Sequence, residues 1–144
     1  MQSNKALEKL IYEIQALRGV AESVQQRIGL LNATITEVQL AISTLEGVSE
    51  EGSSSSMLVP IGGGSYLRAT LESSDKLIVG VGADVAVEKT IAECKEDFQS
   101  RILELENFRT SLKQQFDEIS TKMSGLQREA QKVAQESRGE TQNV

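Results

Sequence analysis

Two long heptad repeats dominate this sequence of 144 residues. From residue 3 to residue 46, every a and d position of six consecutive heptads is apolar. The a positions are Leu7, Ile14, Ala21, Ile28, Ile35 and Ile42, and the d positions are Leu10, Leu17, Val24, Leu31, Val38 and Leu45. Apolar a and d residues separated by polar ones predict a coiled-coil helix, which at ~1.5 Å per residue would run roughly 65 Å. Such a helix needs a partner of similar length, because it cannot bury its narrow apolar stripe alone.

A second heptad repeat begins near residue 90. Thr90 and Glu93 have the Thr-x-x-Glu spacing of a capping box, which predicts a helix start there. The d positions are Ile91, Phe98, Leu105, Leu112, Ile119, Leu126 and Val133, and the apolar a positions are Ile102, Phe116, Met123 and Ala130. Lys95 and Arg109 interrupt the a row. Two seams of nearly equal length, at about 3–46 and 90–136, predict an antiparallel coiled-coil hairpin.

The stretch 57–88 between the repeats has the pattern of β-strands. Apolar and polar residues alternate from Tyr66 to Glu72, and Leu77, Val79 and Val81 repeat at the same spacing of two. Turn residues break the stretch at 62–64, at Ser73-Ser74-Asp75 and at 80–84. We therefore predict four short strands paired as two β-hairpins.

Polar segments flank these elements. Residues 47–56, GVSEEGSSSS, predict a flexible linker that ends the first helix at Gly47. Residues 137–144 predict a flexible tail. The expected fold class is mainly α, in a single domain over 1–144 whose two hairpins join the helices at one end.

The predicted hairpins leave strand edges unpaired, and two short hairpins are too few for independent stability. The uncharged, β-prone run 77–81 would be an aggregation hazard if left open. We therefore expect an obligate oligomer in which strands from several subunits close a β-barrel. Arg68 and Glu72 alternate with the apolar residues and are expected to face outward. The residues expected at the oligomer interface are Leu58, Val59, Ile61, Leu67, Leu71, Leu77, Val79, Val81, Val85 and Val87.

Composition narrows the class of partner. A net charge of −6 argues against a surface that binds nucleic acid or an anionic membrane. No uninterrupted run approaches the ~20 apolar residues of a membrane span, and the N-terminus lacks the apolar core of a signal peptide. Cys94 is the one cysteine and cannot form an internal disulfide. These features predict a soluble, cytoplasmic protein.

No motif for catalysis, cofactor binding or metal binding is complete. Gly80-Val81-Gly82 begins a dinucleotide fingerprint, but Val85 stands where the third glycine belongs. The triple glycine at 62–64 has no Gly-Lys-Ser/Thr after it to bind phosphate. The chain has no histidine to serve as the usual base for a serine nucleophile. We expect no enzymatic activity and no cofactor or metal site, and we interpret Cys94 as a small packing residue.

The segment LVPIGGGSYLRATLESSDKLIVGVGADVAVEK between two long amphipathic helices resembles the α-class subunit of prefoldin, a cytosolic chaperone of archaea and eukaryotes. The resemblance covers essentially the whole chain, and its most specific residues are 59–64, 81–83 and 87–88. β-class subunits have a single hairpin, whereas this sequence predicts two. The resemblance implies a hexamer of two α and four β subunits whose hairpins form a double barrel. It also implies that the coiled-coil tips hold unfolded protein and transfer it, without ATP, to a group II chaperonin.

The substrate-binding surface is expected where the start of the first helix lies beside the end of the second. The two-helix end frays easily, so its apolar seam can open to bind unfolded chains of many sequences. The expected substrate-binding residues are Leu7, Leu10, Ile11, Ile14, Met123, Leu126, Ala130 and Val133. Ile11 is the most informative of these residues because it lies beside the regular seam. The alternative is a structural or tethering coiled coil whose tips bind one specific folded partner.

Overall fold

The computed structural model of the chain describes residues 2–52, 54–72 and 76–142. Two long helices enclose four short strands in sequence order. These are α1 (Gln2–Glu51), β1 (Ser56–Gly62), β2 (Ser65–Thr70), β3 (Lys76–Gly82), β4 (Val85–Thr90) and α2 (Ile91–Gln142). The predicted fold class, two coiled-coil helices joined through two antiparallel β-hairpins, is confirmed. The chain divides into two compact units: unit 1 comprises Met1–Ala33 and Glu106–Val144, and unit 2 comprises Thr34–Leu105.

Both helices are longer than the sequence predicted. The predicted linker 47–56 is helical as far as Glu51, and β1 begins at its last residue, Ser56. Gly47 does not end α1. The N–H of Gly52 still donates to the Val48 carbonyl at 3.1 Å, and the left-handed φ of 73° at Gly52 ends the helix there. The predicted tail 137–144 is likewise helical through Gln142, and its last two residues lie outside the described part of the chain.

The heptad seams are buried as predicted. All twelve a and d side chains of α1 between Leu7 and Leu45 are buried or half-buried. The same holds for every apolar a and d residue of α2 from Ile91 to Val133, with Leu112 the most buried of them at 4% exposure. Because the intervening positions are mostly exposed, each helix presents one apolar stripe and a polar remainder.

Arg109, one of the two interruptions of the α2 seam, makes a polar contact in unit 1. Its Nη1 donates a hydrogen bond to Oδ1 of Asn32 on α1 at 2.8 Å. These residues are 77 positions apart, so the bond joins the two helices directly. A polar residue at a seam position favours one register of a coiled coil, because a shifted register would leave it half-buried without this partner.

We expect a double-mutant cycle of Arg109→Ala and Asn32→Ala to show a coupling free energy of about 1 kcal/mol. The single variants each remove the same hydrogen bond, so their effects should not add. Urea unfolding followed by circular dichroism measures the four corners of the cycle. Arg128→Ala, on an exposed position of α2, serves as control and should be additive with Asn32→Ala. Additive effects of Arg109→Ala and Asn32→Ala would contradict a role for this bond.

The predicted capping box at the start of α2 is confirmed. The Glu93 N–H donates to Oγ1 of Thr90 at 3.2 Å, and the Thr90 N–H donates to Oε2 of Glu93 at 3.3 Å. Thr90 is also the last residue of β4. The cap therefore fixes the point at which strand changes to helix, because it satisfies amide groups that neither element would otherwise bind.

Thr90→Ala should destabilise the chain by about 1 kcal/mol, the usual cost of losing a helix cap. Thr110→Ala is the matched control, since the Thr110 hydroxyl donates to the Glu106 carbonyl within the same helix and caps nothing. Thermal unfolding of the two variants provides the comparison. Equal melting temperatures for Thr90→Ala and Thr110→Ala would show that the box does not stabilise the helix start.

The two hairpins repeat one another with a spacing of 20 residues. The ladder of the first runs from Ser56↔Thr70 to Gly62↔Ser65, and that of the second from Lys76↔Thr90 to Gly82↔Val85. The register shifts at equivalent places, between Pro60 and Gly62 and between Gly80 and Gly82. Each position of hairpin 1 (β1 and β2) therefore has a structural counterpart 20 residues later in hairpin 2 (β3 and β4).

The turns are shorter than the sequence suggested. Gly63 and Gly64, with φ of 58° and 74°, form the first, and Ala83 and Asp84, with φ of 50° and 59°, form the second. Left-handed φ at both central residues matches the twist of the adjoining strands and suits glycine and aspartate. Gly80 and Gly82, predicted to belong to the turn, are part of β3. The predicted reversal at Ser73-Ser74-Asp75 lies outside the described residues.

The mean hydropathy of α1 is higher than the absence of a long uninterrupted apolar run suggested. A window of 18 residues within Gln2–Glu51 has a mean hydropathy of 1.3, enough by length and composition to cross a membrane, and 17% of that window is buried. The average arises from a heptad stripe rather than a uniformly apolar surface. α1 carries Asn32, Glu37 and Gln39 among its apolar residues, as a coiled-coil helix does and a lipid-facing helix does not.

Cys94 is the most completely buried side chain among those described, with 1% of its surface exposed. It lies in the first turn of α2, in unit 2, and is a free thiol. Its burial agrees with the interpretation of this cysteine as a small packing residue.

Candidate functional site

The two β-hairpins carry a large share of the exposed apolar surface. Sixteen large hydrophobic side chains are exposed in the described chain, and nine of them lie on the four strands. These nine are Leu58, Val59, Ile61, Tyr66, Leu67, Ile78, Val81, Val85 and Val87. We call them the hairpin surface. Nine exposed apolar side chains on four short strands indicate an interaction region, because a protein that stays monomeric rarely leaves this much apolar surface open to water.

The predicted interface residues are divided between the two faces of the hairpins. Cross-strand partners share a face, so Val59 and Leu67 lie together on the first face of hairpin 1, and Val79 and Val87 on that of hairpin 2. Leu77 is on the same face of hairpin 2, whereas Leu58 is on the opposite face of hairpin 1.

The remaining predicted interface residues lie at irregular positions. Ile61 and Val81 occupy the two register shifts, Val85 follows the second turn, and Leu71 lies just past the end of β2, half-buried. Ten predicted residues thus do not form one surface in a single chain. Arg68 is exposed on the face opposite Leu67, and Glu72 is exposed beyond β2, which agrees with the outward positions expected for both.

The alternation of residues did not identify Tyr66 and Ile78, which are 61% and 80% exposed. Both lie on the second face of their hairpins, the face that the alternation predicts to be polar. The signal was available in the sequence, because Leu58, Tyr66 and Ile78 interrupt the polar half of the alternation with large apolar side chains.

A groove of about 500 Å³ lies beside β3 in unit 2. Leu77, Ile78, Val79 and Gly80 form one side, and residues of α1 together with Phe98 of α2 form the other. The α1 residues are Glu37, Leu40, Ala41, Thr44 and Leu45. Leu40 is 66% exposed here. The groove is therefore predominantly apolar, with its carboxylate, Glu37, on the α1 side.

Two ion pairs involve hairpin 2. Lys89 of β4 donates a hydrogen bond to the carboxylate of Asp97 on α2, and Lys76 lies 3.9 Å from Glu88 across the two strands. The hydrogen bond to Asp97 and its negative charge raise the pKa of Lys89 above the ordinary value of 10.5. Since the folded-state pKa is raised, the stabilisation from this pair is present below pH 10.5 and is lost as pH rises through the raised pKa. The pair links the end of β4 to the second turn of α2.

The predicted substrate-binding residues lie in unit 1. Ile14 is buried at 9% exposure, and six of the others are half-buried. These six are Leu7, Leu10, Met123, Leu126, Ala130 and Val133. Ile11 is 45% exposed, as its position beside the seam suggested. Six of the eight thus lie partly open along the seam, and Ile11 adds an apolar side chain next to it.

Tyr12 is a further exposed residue at this end of α1, outside the set of residues predicted from the heptads. It is 73% exposed, next to Ile11. It occupies the heptad position farthest from the seam, where heptad analysis expects a polar residue. A tyrosine at that position was the signal in the sequence, because a solvated coiled-coil face has no need of an aromatic ring.

Comparisons with known proteins agree on one family. The Prefoldin family model, described as "Prefoldin subunit", matches residues 4–136. The chain is 36% identical over 135 residues to "Prefoldin subunit alpha" of Pyrococcus horikoshii, covering 93% of this chain and 91% of that protein. It is 30% identical over 133 residues to "Prefoldin subunit alpha 2" of Methanocaldococcus jannaschii, covering 92% and 86%.

A solved structure is similar in fold as well. The cryo-EM structure of filamentous PFD from Methanocaldococcus jannaschii matches with a TM-score of 0.70 and 28% sequence identity. The match covers 78% of this chain and 93% of that one. The chain therefore resembles this structure in fold as well as in sequence.

Proposed function

The chain belongs to the prefoldin family of chaperones, and on that basis we propose that it is a holdase subunit that binds unfolded polypeptides without ATP or enzymatic chemistry. The observation that carries this proposal is the exposure of Ile11 and Tyr12, at 45% and 73%, beside a half-buried apolar seam. Unfolded proteins expose apolar side chains of many shapes, and a surface of isoleucine, leucine, methionine and tyrosine contacts them without requiring one complementary shape.

The proposed binding site consists of the eight seam and near-seam residues predicted from sequence, together with Tyr12. At this end of unit 1 the seam is shallow, because six of the eight are only half-buried. Separation of the two helices would expose these residues at modest cost, since helix ends are the least stable part of a coiled coil. Each contact would be weak, so retention would depend on several sites acting together.

Assembly supplies those several sites. Prefoldin α subunits assemble with other prefoldin subunits, and we propose here a hexamer of two α and four β subunits joined through the hairpin surface. The nine exposed apolar residues of the strands support this, because such a surface requires cover. We further propose that the complex is cytoplasmic, in agreement with a single, buried, unpaired cysteine, and that it passes its substrates to a group II chaperonin.

The direct test is suppression of aggregation. The complex reconstituted with β-class subunits is mixed with several unrelated denatured proteins without nucleotide, and light scattering is followed during dilution from denaturant. We expect suppression for most substrates at a near-stoichiometric ratio of complex to substrate. Protection of none of them, or protection that requires ATP, would refute the proposal.

A structural role is the alternative, and one observation favours it: the similar structure from Methanocaldococcus jannaschii is described as filamentous. In that case the hairpins would join copies into an ordered assembly, and the helices would bind one specific folded partner. Electron microscopy of the purified chain, together with binding measurements on native and denatured proteins, separates the two functions. Filaments that bind a single native protein and no denatured one would support the structural role.

A further inference from the structure

Three glutamines form a row on the surface of α2 near its end, in unit 1. Gln127, Gln131 and Gln135 are spaced four residues apart, and no other two glutamines in the sequence have this spacing. Residues four apart are neighbours on one side of a helix, so the three side chains stand one above the next. All three are exposed. We call them the glutamine row.

The side chains of the glutamine row have no partner within the described part of the chain. Among residues 2–52, 54–72 and 76–142, no hydrogen bond joins one of these amides to another residue. Each amide therefore keeps a carbonyl oxygen that can accept and two N–H groups that can donate. Unpaired amides are ordinary on a solvated helix, so only their spacing and their surroundings can indicate a ligand.

A shallow cleft of about 410 Å³ lies on this part of α2. Its lining consists of Gln131, Ala134, Gln135 and Arg138. Ala134 is half-buried and the other three are exposed, so the small alanine forms a depression between longer polar side chains. Two amides and a guanidinium thus surround a concave surface with hydrogen-bonding groups.

The glutamine row lies beside Ile11 of α1. Asn32 and Arg109 are opposite each other, and 21 residues farther toward the end of each helix are Ile11 and Ala130. The level of Ile11 therefore falls between Gln127 and Gln131. Ile11 and Gln127 both occupy the heptad position that follows d, and in an antiparallel pair these positions lie on the same side of the coiled coil. An exposed apolar side chain and a row of amides are thus adjacent.

The spacing of the row matches the repeat of an extended polypeptide. Four residues of a helix rise about 6.0 Å, and two residues of an extended chain span about 6.6–6.8 Å. Over the two steps of the row the difference grows to about 1.4 Å, which the flexible glutamine side chains can absorb. Alternate residues of an extended chain direct their backbone groups to the same side. Successive amides of the row can therefore meet successive backbone groups of such a chain.

We propose that the glutamine row binds the main chain of an unfolded polypeptide in extended conformation, while Ile11 contacts apolar side chains of the same segment. An amide both donates and accepts, so it pairs with the N–H and C=O of any residue, whatever the sequence. An unfolded chain fits because its backbone groups are available, whereas a folded protein has most of them paired. This binding mode deepens the proposed holdase function, on which it rests, by naming the group of the substrate that is recognised.

Methylation of the peptide backbone tests this binding mode. The complex with β-class subunits is titrated with a fluorescent, unstructured peptide rich in leucine and serine, with its peptide nitrogens either free or methylated. Methylation removes the N–H donors and leaves the side chains unchanged. Glu129→Cys, at an exposed position of α2, carries a second fluorophore, so energy transfer reports binding at the α helices. Cys94 takes up no label, because it is 1% exposed.

With the glutamine row intact, methylation should raise the Kd of the peptide at least roughly tenfold, because several hydrogen bonds are lost together. Gln131→Ala combined with Gln135→Ala should raise the Kd of the unmodified peptide severalfold and should remove most of its sensitivity to methylation. Gln114→Ala combined with Gln115→Ala is the matched control. These are two exposed glutamines of α2 in unit 1 that lie outside the row, and their loss should leave both Kd values unchanged.

Equal sensitivity to methylation with and without Gln131 and Gln135 would overturn the proposed main-chain binding, and so would an equal loss of affinity in the control variant. Either result from a complex that still suppresses aggregation would leave the holdase function standing. A complex with the row intact that binds neither peptide and protects no denatured protein would instead refute the holdase function, and main-chain binding with it.

Discussion

Val79→Asp is expected to dissociate the assembled complex while leaving its helical content nearly unchanged. Val79 is half-buried on the first face of hairpin 2, opposite Val87, and lines the groove beside β3. A carboxylate there would lose its water when a neighbouring subunit covers the face, at a cost of several kcal/mol. A cost of about 4 kcal/mol would weaken association roughly a thousandfold. Sedimentation velocity and far-UV circular dichroism together measure both effects.

Arg68→Ala is the control for this experiment, because Arg68 is exposed on the opposite face of the corresponding hairpin. It should leave the complex intact. Leu71→Ala removes a half-buried side chain at the end of β2 and should weaken assembly. If Arg68→Ala dissociates the complex and Leu71→Ala does not, the assignment of the two faces is reversed. An intact complex with Val79→Asp would mean that hairpin 2 does not join the subunits.

Deletion of residues 1–14 and 123–144 is expected to leave the complex assembled and to weaken its hold on denatured proteins. The deletion removes all eight predicted substrate-binding residues together with Tyr12, and it leaves the strands intact. If retention depends on several weak sites, loss of the α sites should reduce apparent affinity for a large substrate at least roughly tenfold. Small substrates should be affected less, because they engage fewer sites. Aggregation suppression across a series of substrate sizes measures this.

Point variants distinguish the contribution of the exposed residues to substrate binding from that of the seam residues. Ile11→Ser combined with Tyr12→Ser should reproduce part of the loss, since these two side chains are exposed without any opening of the helices. Leu30→Ser is the matched control: Leu30 is also on α1 in unit 1 and is 70% exposed, but it lies outside the predicted site. Equal loss with Leu30→Ser would mean that any exposed apolar residue contributes. Full protection by the truncated complex would place substrate binding elsewhere.

The heptad positions and the capping box were determined by the local sequence. Burial of an apolar stripe at every third or fourth residue depends only on helical periodicity, so the seam residues from Leu7 to Leu45 could be assigned without a structure. The reciprocal bonds of Thr90 and Glu93 are similarly local, because they join residues only three apart. Turn chemistry identified both hairpins, since glycine and aspartate relieve the strain of left-handed backbone at those points.

The helix ends and the two sides of the strands were decided by tertiary structure. Glycine is the residue type that commonly ends a helix, yet α1 continues past Gly47 to Glu51. Gly52 adopts the left-handed conformation that ends a helix, and Gly47 does not. Pairing of Arg109 with Asn32 could not be read from heptads, since their separation of 77 residues depends on how the two helices align. Ile78 and Tyr12 stand where the periodicity predicts a polar residue, which was a signal in the sequence, but the extent of their exposure, 80% and 73%, depends on packing. Periodicity states which side chains share a face, but only the packed structure determines whether another element covers that face.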